Sequence, residues 1–262
     1  MTGIHAYSLY SGSTGNAFLL DANGVCILID AGKSAKSLCA AIRASGHEPE
    51  DISAVFLTHE HSDHIKGLRT LTTRFEIPVY AQELNAQYLC ENGFIGKKSE
   101  CFVIDSQTQV AGFSVKAFST PHDTRQSCGY RIETPDGRTV SVCTDLGEVT
   151  DTVHENLLHS DLVLLEANYD YNMLRNGPYP YPLKQRIASS HGHLDNRDCT
   201  RELSELIKTG TTRIIIGHLS LHNNRPQIAE DTVINGLCDM KRNMDYILLT
   251  APTETGGEVV IV

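Results

Sequence analysis

The sequence has no excess of basic residues, no long apolar run and no low-complexity segment. Lys and Arg number 22 against 32 Asp and Glu, and the formal charge of −10 argues against nonspecific binding of nucleic acid or anionic membrane over the whole surface. No apolar stretch approaches the ~18 residues that a membrane span requires, and the N-terminus has neither the basic nor the apolar segment of a signal peptide. We therefore expect a cytoplasmic protein that does not associate with membranes.

A C-x-x-C pair is also missing, although the chain contains 8 cysteines. The cysteines are scattered and mostly lie in apolar surroundings, as Cys26 does between Val25 and Ile27. This distribution is typical of reduced core thiols, and it argues against a disulfide framework or a thiolate metal site. The Gly-x-Ser-x-Gly motif of serine hydrolases is absent too, so no serine nucleophile is predicted.

The length of 262 residues fits a single domain, which we expect to span residues 1–262. Apolar periodicity predicts a group of strands, then helices, a second group of strands and a second group of helices. Two sheets packed face to face, with helices outside, are the layered α/β arrangement that this order permits. The predicted strands cover 5–10, 17–21, 25–30, 54–58, 78–81, 101–104, 113–120, 128–133, 139–145, 162–166, 212–217, 246–250 and 258–262, and the predicted helices cover 34–44, 83–92, 152–158, 183–190, 198–208 and 226–241, with helical periodicity also between 65 and 75.

Three histidines and an aspartate occur within six residues directly after the apolar segment 54–57. Imidazole and carboxylate groups are ligands for zinc and related metals. A strand would send alternate side chains to opposite faces, so the run must leave the strand as a tight loop. We expect His59 and His61 on one side of this loop, and Asp63 and His64 at the start of the next helix. Two pairs of ligands suggest two metals, whereas the alternative is a surface loop that is merely rich in histidine.

Further candidate ligands stand at the ends of other predicted strands, where loops carry function. His122 follows one apolar strand, Asp145 ends another, and His218 follows a third after Gly217, which leaves room for close backbone approach. Each residue alone is more simply explained as a hydrogen-bonded polar group. Together with the histidine cluster, they suggest one site at one edge of the sheets.

The pattern His-x-His-x-Asp-His after a buried strand resembles the signature of the metallo-β-lactamase fold superfamily. The resemblance implies a four-layer αββα sandwich and a hydrolase with two divalent metal ions, zinc or manganese, although the same ligand types also serve iron. It implies that His59, His61 and His122 hold one metal, that Asp63, His64 and His218 hold the other, and that Asp145 bridges them. A water between the metals would be available as hydroxide at neutral pH, and Asp63 would orient or deprotonate it.

His193 is the candidate for a second catalytic role. It lies in a Gly-containing loop between a predicted helix that carries Lys184 and Arg186 and a helix that begins near Asp195. Free backbone amides at the start of that second helix would favour an anion. We therefore expect His193 to contact a phosphate or to protonate the leaving oxygen, with Lys184 and Arg186 binding the substrate. The alternative is a loop histidine that only caps a helix.

Several stretches between residue 9 and residue 218 indicate one group within the superfamily, because they are most similar to the stand-alone YycJ (WalJ) group. They are Leu9–Asn16, the metal loop, Pro121–Asp123, Leu165–Asp170 and the region from Gly177 to Leu194, with Asp195 in a position where the group usually has Ser. Only 73 positions separate Asp145 from His218, too few for the extra domain of the β-CASP enzymes. The resemblance implies 5′-to-3′ exonuclease activity on DNA and a role in DNA repair.

Two other functions remain open from the sequence. One is hydrolysis of a small thioester or lactone by the same fold, and the other is a metal-binding regulatory module without turnover. The charge of −10 is the main objection to a DNA substrate, because a nuclease needs local positive charge to bind phosphates. A positive groove formed by the cations near the site would favour the nuclease; the candidates are Arg125, Arg175, Lys184, Arg186 and Arg197.

Overall fold

The computed structural model describes residues 3–104, 106–253 and 259–261 of the chain. Its strands are β1 (Ile4–Tyr10), β2 (Ala17–Ala22), β3 (Val25–Ile29), β4 (Ile52–Phe56), β5 (Val79–Ala81), β6 (Cys101–Val103), β7 (Gln107–Val110), β8 (Phe113–Ser119), β9 (Cys128–Glu133), β10 (Thr139–Cys143), β11 (Leu162–Glu166), β12 (Arg213–Gly217), β13 (Ile247–Thr250) and β14 (Val259–Ile261). Its helices are α1 (Ala35–Ala44), α2 (Ser62–Ile65), α3 (Leu68–Phe75), α4 (Glu83–Glu91), α5 (Asp151–Leu157), α6 (Tyr171–Asn176), α7 (Tyr181–Ile187), α8 (Asn196–Lys208) and α9 (Pro226–Gly236), with a 3-10 helix at Pro49–Asp51.

The strands form two sheets, in the order β14-β1-β2-β3-β4-β5-β6 and β13-β12-β11-β10-β9-β8-β7. In the first sheet the strands from β3 to β6 are parallel, and in the second the strands from β10 to β13 are parallel. Strand β8 also runs in the direction of β10, because each is antiparallel to β9. The carboxyl ends of β8, β10, β11 and β12 therefore lie at one edge, where loops can build a site.

Alternation of side chains along each strand produces the layers. In β2, Phe18 and Leu20 pack into the core between the two sheets, whereas Leu19 packs into a second core beneath α1, α3 and α4. In β11, Leu164 joins the central core and Leu165 joins a third core beneath α5, α8 and α9. The layers are therefore helices, sheet, sheet and helices, with one apolar core between each neighbouring pair. This arrangement confirms the predicted αββα sandwich.

Several element boundaries differ from the sequence prediction. The helical repeat between Ile65 and Phe75 is divided into α2 and α3. The Gly67 amide donates a 2.8 Å hydrogen bond to the Ala31 carbonyl oxygen, outside the helix, and a Cβ at residue 67 would lie 2.2 Å from the Lys33 carbonyl oxygen. Helix α9 ends at Gly236 instead of 241, and the predictions omitted α6 and β7. The predicted last strand, 258–262, is observed as Val259–Ile261, and residues 258 and 262 lie outside the described residues.

Among the described residues, no helix has the length and apolar character that crossing a membrane requires.

Candidate active site

The histidine-rich loop has the predicted course. His61 is the N-cap residue of α2, which carries Asp63 and His64, and His59 precedes it after the end of β4. The backbone of Asp63 is fixed by the first strand connection, since its carbonyl oxygen accepts a hydrogen bond of 2.8 Å from the Asn16 amide. Gly32 packs directly on this turn, because a Cβ there would lie 1.6 Å from the same oxygen.

His59, His61 and His122 form the first group of candidate ligands. One ring nitrogen from each lies within 4.8 Å of the other two. His59 is fully buried, and its Nε2 has no hydrogen-bond partner among the described residues. Burial, together with the positive charge of His64, lowers the pKa of His59 well below its ordinary value, so this imidazole is in the neutral form that binds metals. A buried nitrogen without a partner is costly, and a metal ion would satisfy it.

Asp63, His64 and His218 form the second group, again with one donor atom each within 4.8 Å of one another. The Nε2 atom of His218 is buried and also lacks a partner among the described residues. Asp145 lies between the two groups: its Oδ2 is 3.2 Å from His64 Nε2, and its Oδ1 is 3.7 Å from His122 Nε2. Oδ1 is also 3.5 Å from His218 Nε2, so the carboxylate lies close to ligands of both groups, which is the position that a bridging ligand requires.

Three polar residues just after strand ends have left-handed backbone conformations, which are uncommon outside glycine. The φ angles are 62° for Asp30, 59° for Asp145 and 55° for His218. The His218 amide donates a 2.7 Å hydrogen bond to Ser11 Oγ, and a Cβ on the preceding Gly217 would lie 2.8 Å from that oxygen. Backbone strain of this kind concentrates at functional sites, where the surrounding structure holds it in place.

Asp30 orients His64 and was not predicted as a site residue. Its Oδ2 is 2.8 Å from His64 Nδ1, and its Oδ1 accepts a 2.9 Å hydrogen bond from the Thr58 amide. A carboxylate that binds one ring nitrogen of histidine presents the other nitrogen to a metal. Asn16 Nδ2 lies 2.9 Å from His64 Nε2, and Ser13 lines a cavity together with His61, Asp63 and Asp145, so the loop 11–16 borders the site.

Glu166 links the second group to His193 and was likewise missed. Its Oε1 lies 2.6 Å from His218 Nδ1 and 2.9 Å from His193 Nδ1, while its Oε2 accepts hydrogen bonds from the amides of Leu146 and Leu194. Burial alone would raise the pKa of Glu166, but His193 and His218 lower it to about 2. The side chain is therefore a carboxylate at neutral pH. Its position at the end of β11, beside other polar strand ends, was the available sequence signal.

The structure brings His193 into the site. Its Nδ1 is 3.7 Å from Asp145 Oδ1, and its ring centroid is 5.2 Å from that of His122 and 5.4 Å from that of His218. The preceding Gly192 accepts a 3.0 Å contact from His122 Nδ1 through its carbonyl oxygen. Burial lowers the pKa of His193, but Glu166 more than offsets this and raises it above the ordinary value. A protonated imidazole can donate to an anion or act as an acid.

The prediction of an anion site at the start of α8 is wrong. Asp195 is the N-cap residue of this helix, and its Oδ1 accepts hydrogen bonds of 2.7 Å from the Arg197 amide and 2.8 Å from the Asp198 amide. The chain's own carboxylate therefore occupies the helix N-terminus, as an N-cap residue usually does. His193 does not cap the helix, because its side chain pairs with Glu166.

The two groups of candidate metal ligands border a cavity of about 240 Å³. Arg186 lines this cavity and its Nε is 2.5 Å from Asp123 Oδ2. Lys184 does not line it: the Lys184 side chain lies in a neighbouring groove, where its Nζ donates a 2.9 Å hydrogen bond to the Arg175 carbonyl oxygen. The seven candidate ligands, His193 and Arg186 are thus gathered in one place, and Lys184 is not.

The five cations whose grouping would favour the nuclease do not form one positive groove but are divided among separate surfaces. Arg175 and Lys184 share the neighbouring groove, and Arg197 lies next to it, with Cζ 5.6 Å from the centre of the Tyr171 ring. Arg125 lines a different depression together with His122, and its Cζ is 4.9 Å from the centre of the Tyr88 ring. Of the five, Arg186 alone lines the cavity of the candidate ligands.

Comparison with known proteins identifies the family. A family model described as a β-lactamase superfamily domain matches residues 26–218. The exodeoxyribonuclease WalJ of Streptococcus pneumoniae is 32% identical over 253 residues, 94% of each chain, and the exodeoxyribonuclease YycJ of Bacillus anthracis is 35% identical over 234 residues, 88% of each chain. The crystal structure of the metallo-β-lactamase fold protein YhfI of Bacillus subtilis superposes with a TM-score of 0.76 at 17% identity, covering 99% of both chains. This chain belongs to the metallo-β-lactamase superfamily, within the group that contains YycJ and WalJ.

Proposed function

We propose that this chain is a metal-dependent phosphodiesterase that degrades DNA from the 5′ end. The observation that carries the proposal is its similarity, over most of the length of both partners, to WalJ and YycJ, which are exodeoxyribonucleases. The donor set of imidazoles and carboxylates fits divalent metals, and two donor groups joined by Asp145 fit two of them. Zinc and manganese are the proposed metals, and DNA repair is the proposed role.

The ligand residues have the roles that their positions support. His59, His61 and His122 would hold one ion, Asp63, His64 and His218 the other, and Asp145 would bridge them. When bound, two such ions supply hydroxide at neutral pH and neutralise charge on the phosphate. Asp63 is partly exposed to the cavity, unlike buried Asp145, so its carboxylate can orient the attacking water and accept its proton.

His193 would complete the reaction on the opposite side of the phosphorus. Hydrolysis forms a bond from the water oxygen to phosphorus and breaks the bond to the leaving oxygen, which then needs a proton. The pair with Glu166 holds the His193 ring through Nδ1, so Nε2 is the nitrogen that can donate this proton. Arg186 lines the same cavity and would bind a phosphate oxygen once released from Asp123. Lys184 would contact DNA outside the cavity.

The test is digestion of a DNA strand labelled separately at each end. The proposal predicts that the 5′ label is released early as a mononucleotide, whereas the 3′ label passes through a ladder of shortening products. The Asp145→Asn variant, which keeps side-chain size but loses the charge, should abolish both patterns. Early release of the 3′ label would contradict the proposed polarity, and hydrolysis of a small thioester without DNA cleavage would favour the alternative function.

A further inference from the structure

The groove beside the metal cavity has aromatic rings and cations but no assigned role. It is lined by Tyr171, Arg175, Tyr181 and Lys184, with Leu174 at its base, and has a volume of about 440 Å³. We call it the tyrosine groove. Tyr181 is 71% exposed and Tyr171 is 44% exposed, so neither ring is used in the core. Of 10 tyrosines in the chain, the 13 residues from 169 to 181 contain four.

Helix α7 separates the tyrosine groove from the metal cavity. Leu183, Arg186 and Ile187 line the cavity, whereas Tyr181, Lys184, Gln185 and Ala188 line the groove. These are two sets at helical spacing on opposite sides of one short helix. No residue of α7 is buried, so both of its faces are open to a ligand. A linear molecule that reaches over α7 can therefore occupy the cavity and the groove at once.

The charge of the tyrosine groove is opposite to that of the whole chain. The chain carries a formal charge of −10, yet Arg175 and Lys184 line the groove and none of its described lining residues is acidic. Arg197 adds a third cation beside the Tyr171 ring. By contrast, the depression between α5 and α8 contains five acidic residues. Exposed aromatic rings combined with cations are the features with which proteins bind single-stranded nucleic acid without sequence preference.

We propose that the tyrosine groove binds the unpaired DNA strand beyond the phosphodiester being cleaved. Tyr171 and Tyr181 stack on successive bases, and Arg175 and Lys184 contact the phosphates between them. The inference rests on the proposed function, and it gives Lys184 a place in DNA binding that the metal cavity does not offer. It also accounts for DNA binding by an acidic protein, because Arg175 and Lys184 place local positive charge on the path of the strand.

The test separates binding from cleavage. Binding is measured by fluorescence anisotropy with the metal-loaded protein and a labelled 20-nucleotide thymidine strand whose linkages are phosphorothioates, which resist hydrolysis. Stacking is worth ~1 to 3 kcal/mol per base, or about 5-fold to 150-fold in affinity, so the Tyr171→Ala/Tyr181→Ala double variant should bind at least 5-fold more weakly. The double Phe variant should bind like the wild type. Lys184→Gln should make the slope of log binding constant against log salt concentration shallower by about 0.7, the contribution of one phosphate contact on a single strand.

Phe102→Ala is the matched control, because Phe102 is a 39% exposed aromatic residue at the edge of the other sheet. It should bind the strand like the wild type. Kinetics on unmodified DNA and on bis(p-nitrophenyl) phosphate give the second readout. The double Ala variant should lose more catalytic efficiency on the oligonucleotide than on the short ester, chiefly through a higher KM. The ester is too small to reach across α7.

Each outcome decides one of the two proposals. If the wild type degrades DNA while the double Ala variant keeps both its affinity and its KM, the groove proposal is wrong and the proposed function stands. If the wild type binds the strand through the two tyrosines but never cleaves DNA, the proposed function is wrong and the groove stands. A concentration-dependent dimer that the double Ala variant abolishes, without any change in DNA affinity, would assign the groove to a second copy of the chain instead.

Discussion

The Oε1 atom of Glu166 lies 2.9 Å from Nδ1 of His193, in a carboxylate–imidazole pair that the same oxygen extends to His218. One side chain at the end of β11 therefore positions both a candidate metal ligand and the candidate acid. Because the other oxygen of Glu166 is held by two backbone amides, the carboxylate cannot rotate without losing four contacts. The candidate metal site and the candidate acid therefore share one fixed carboxylate.

We predict that His193→Ala keeps its fold and its metal but loses turnover. General acid catalysis is typically worth about 10² to 10⁴-fold in rate, so the loss should appear in kcat. A histidine that only binds phosphate equally in the ground and transition states would instead raise KM and leave kcat nearly unchanged. Steady-state kinetics with a metal assay separates these cases. Loss of metal from the variant would show that His193 is a ligand, and unchanged kcat and KM would remove it from the mechanism.

Glu166→Gln should weaken metal binding and activity together. The amide nitrogen of Gln cannot accept hydrogen bonds, so either the two histidines or the two backbone amides lose their acceptor. Loss of such outer partners typically costs about 10 to 100-fold in metal affinity or activity. Metal titration and kinetics measure the effect. Glu202→Gln is the control, because Glu202 is also buried and paired with a histidine, His154, but outside the site. Equal losses in both variants would show a general effect on folding.

The bridging position of Asp145 predicts a difference in metal stoichiometry. Asp145→Ala should lose both ions or their defined spacing, because the Asp145 carboxylate lies 3.2 to 3.7 Å from ring nitrogens of both groups of ligands. His122→Ala should mainly empty the site of its own group. Metal content per chain is measured on purified variants after dialysis. Loss of the same single equivalent from both variants would show that this division of the ligands is wrong.

Gly32→Ala should disturb the site without touching a ligand side chain. A Cβ at residue 32 would lie 1.6 Å from the carbonyl oxygen of Asp63, so the turn that carries Asp63 and His64 must move. We expect the free energy of unfolding to fall by about 1 to 3 kcal/mol, as for other overpacked positions, and metal affinity to fall as well. Chemical denaturation and metal titration test this. Gly3→Ala is the control, because the added Cβ would meet only His5, at 3.8 Å. Wild-type metal affinity in both variants would contradict the prediction.

The candidate ligands could be predicted because they are marked locally in the sequence. His59, His61 and His64 lie within one short run, and His122 and His218 each follow an apolar strand. The sandwich was predictable for a similar reason, since alternation along the strands defines two buried faces. The spacing of nearby residues marks these candidates and the two faces, whereas the division of the ligands between two metals and the four-layer αββα arrangement were implied by the resemblance to the metallo-β-lactamase superfamily.

The supporting carboxylates could not be predicted in the same way. Asp30 and Glu166 are single acidic residues at strand ends, and their roles depend on His64, His193 and His218, which are 27 to 52 residues away in the chain. Lys184 was misplaced for another reason. Helix α7 has no buried residue, so no apolar face fixes its rotation, and neighbouring positions such as Lys184 and Arg186 face opposite sides.

The most direct test of the account is the rate of DNA degradation by metal-free protein as a divalent metal is added back in measured equivalents per chain. With Asp145 joining two groups of ligands, the rate should stay low up to one equivalent and reach its maximum near two, and each added equivalent should also appear as bound metal. A maximum at one equivalent would contradict the two-metal site, and absence of DNA cleavage at every metal level would contradict the proposed function.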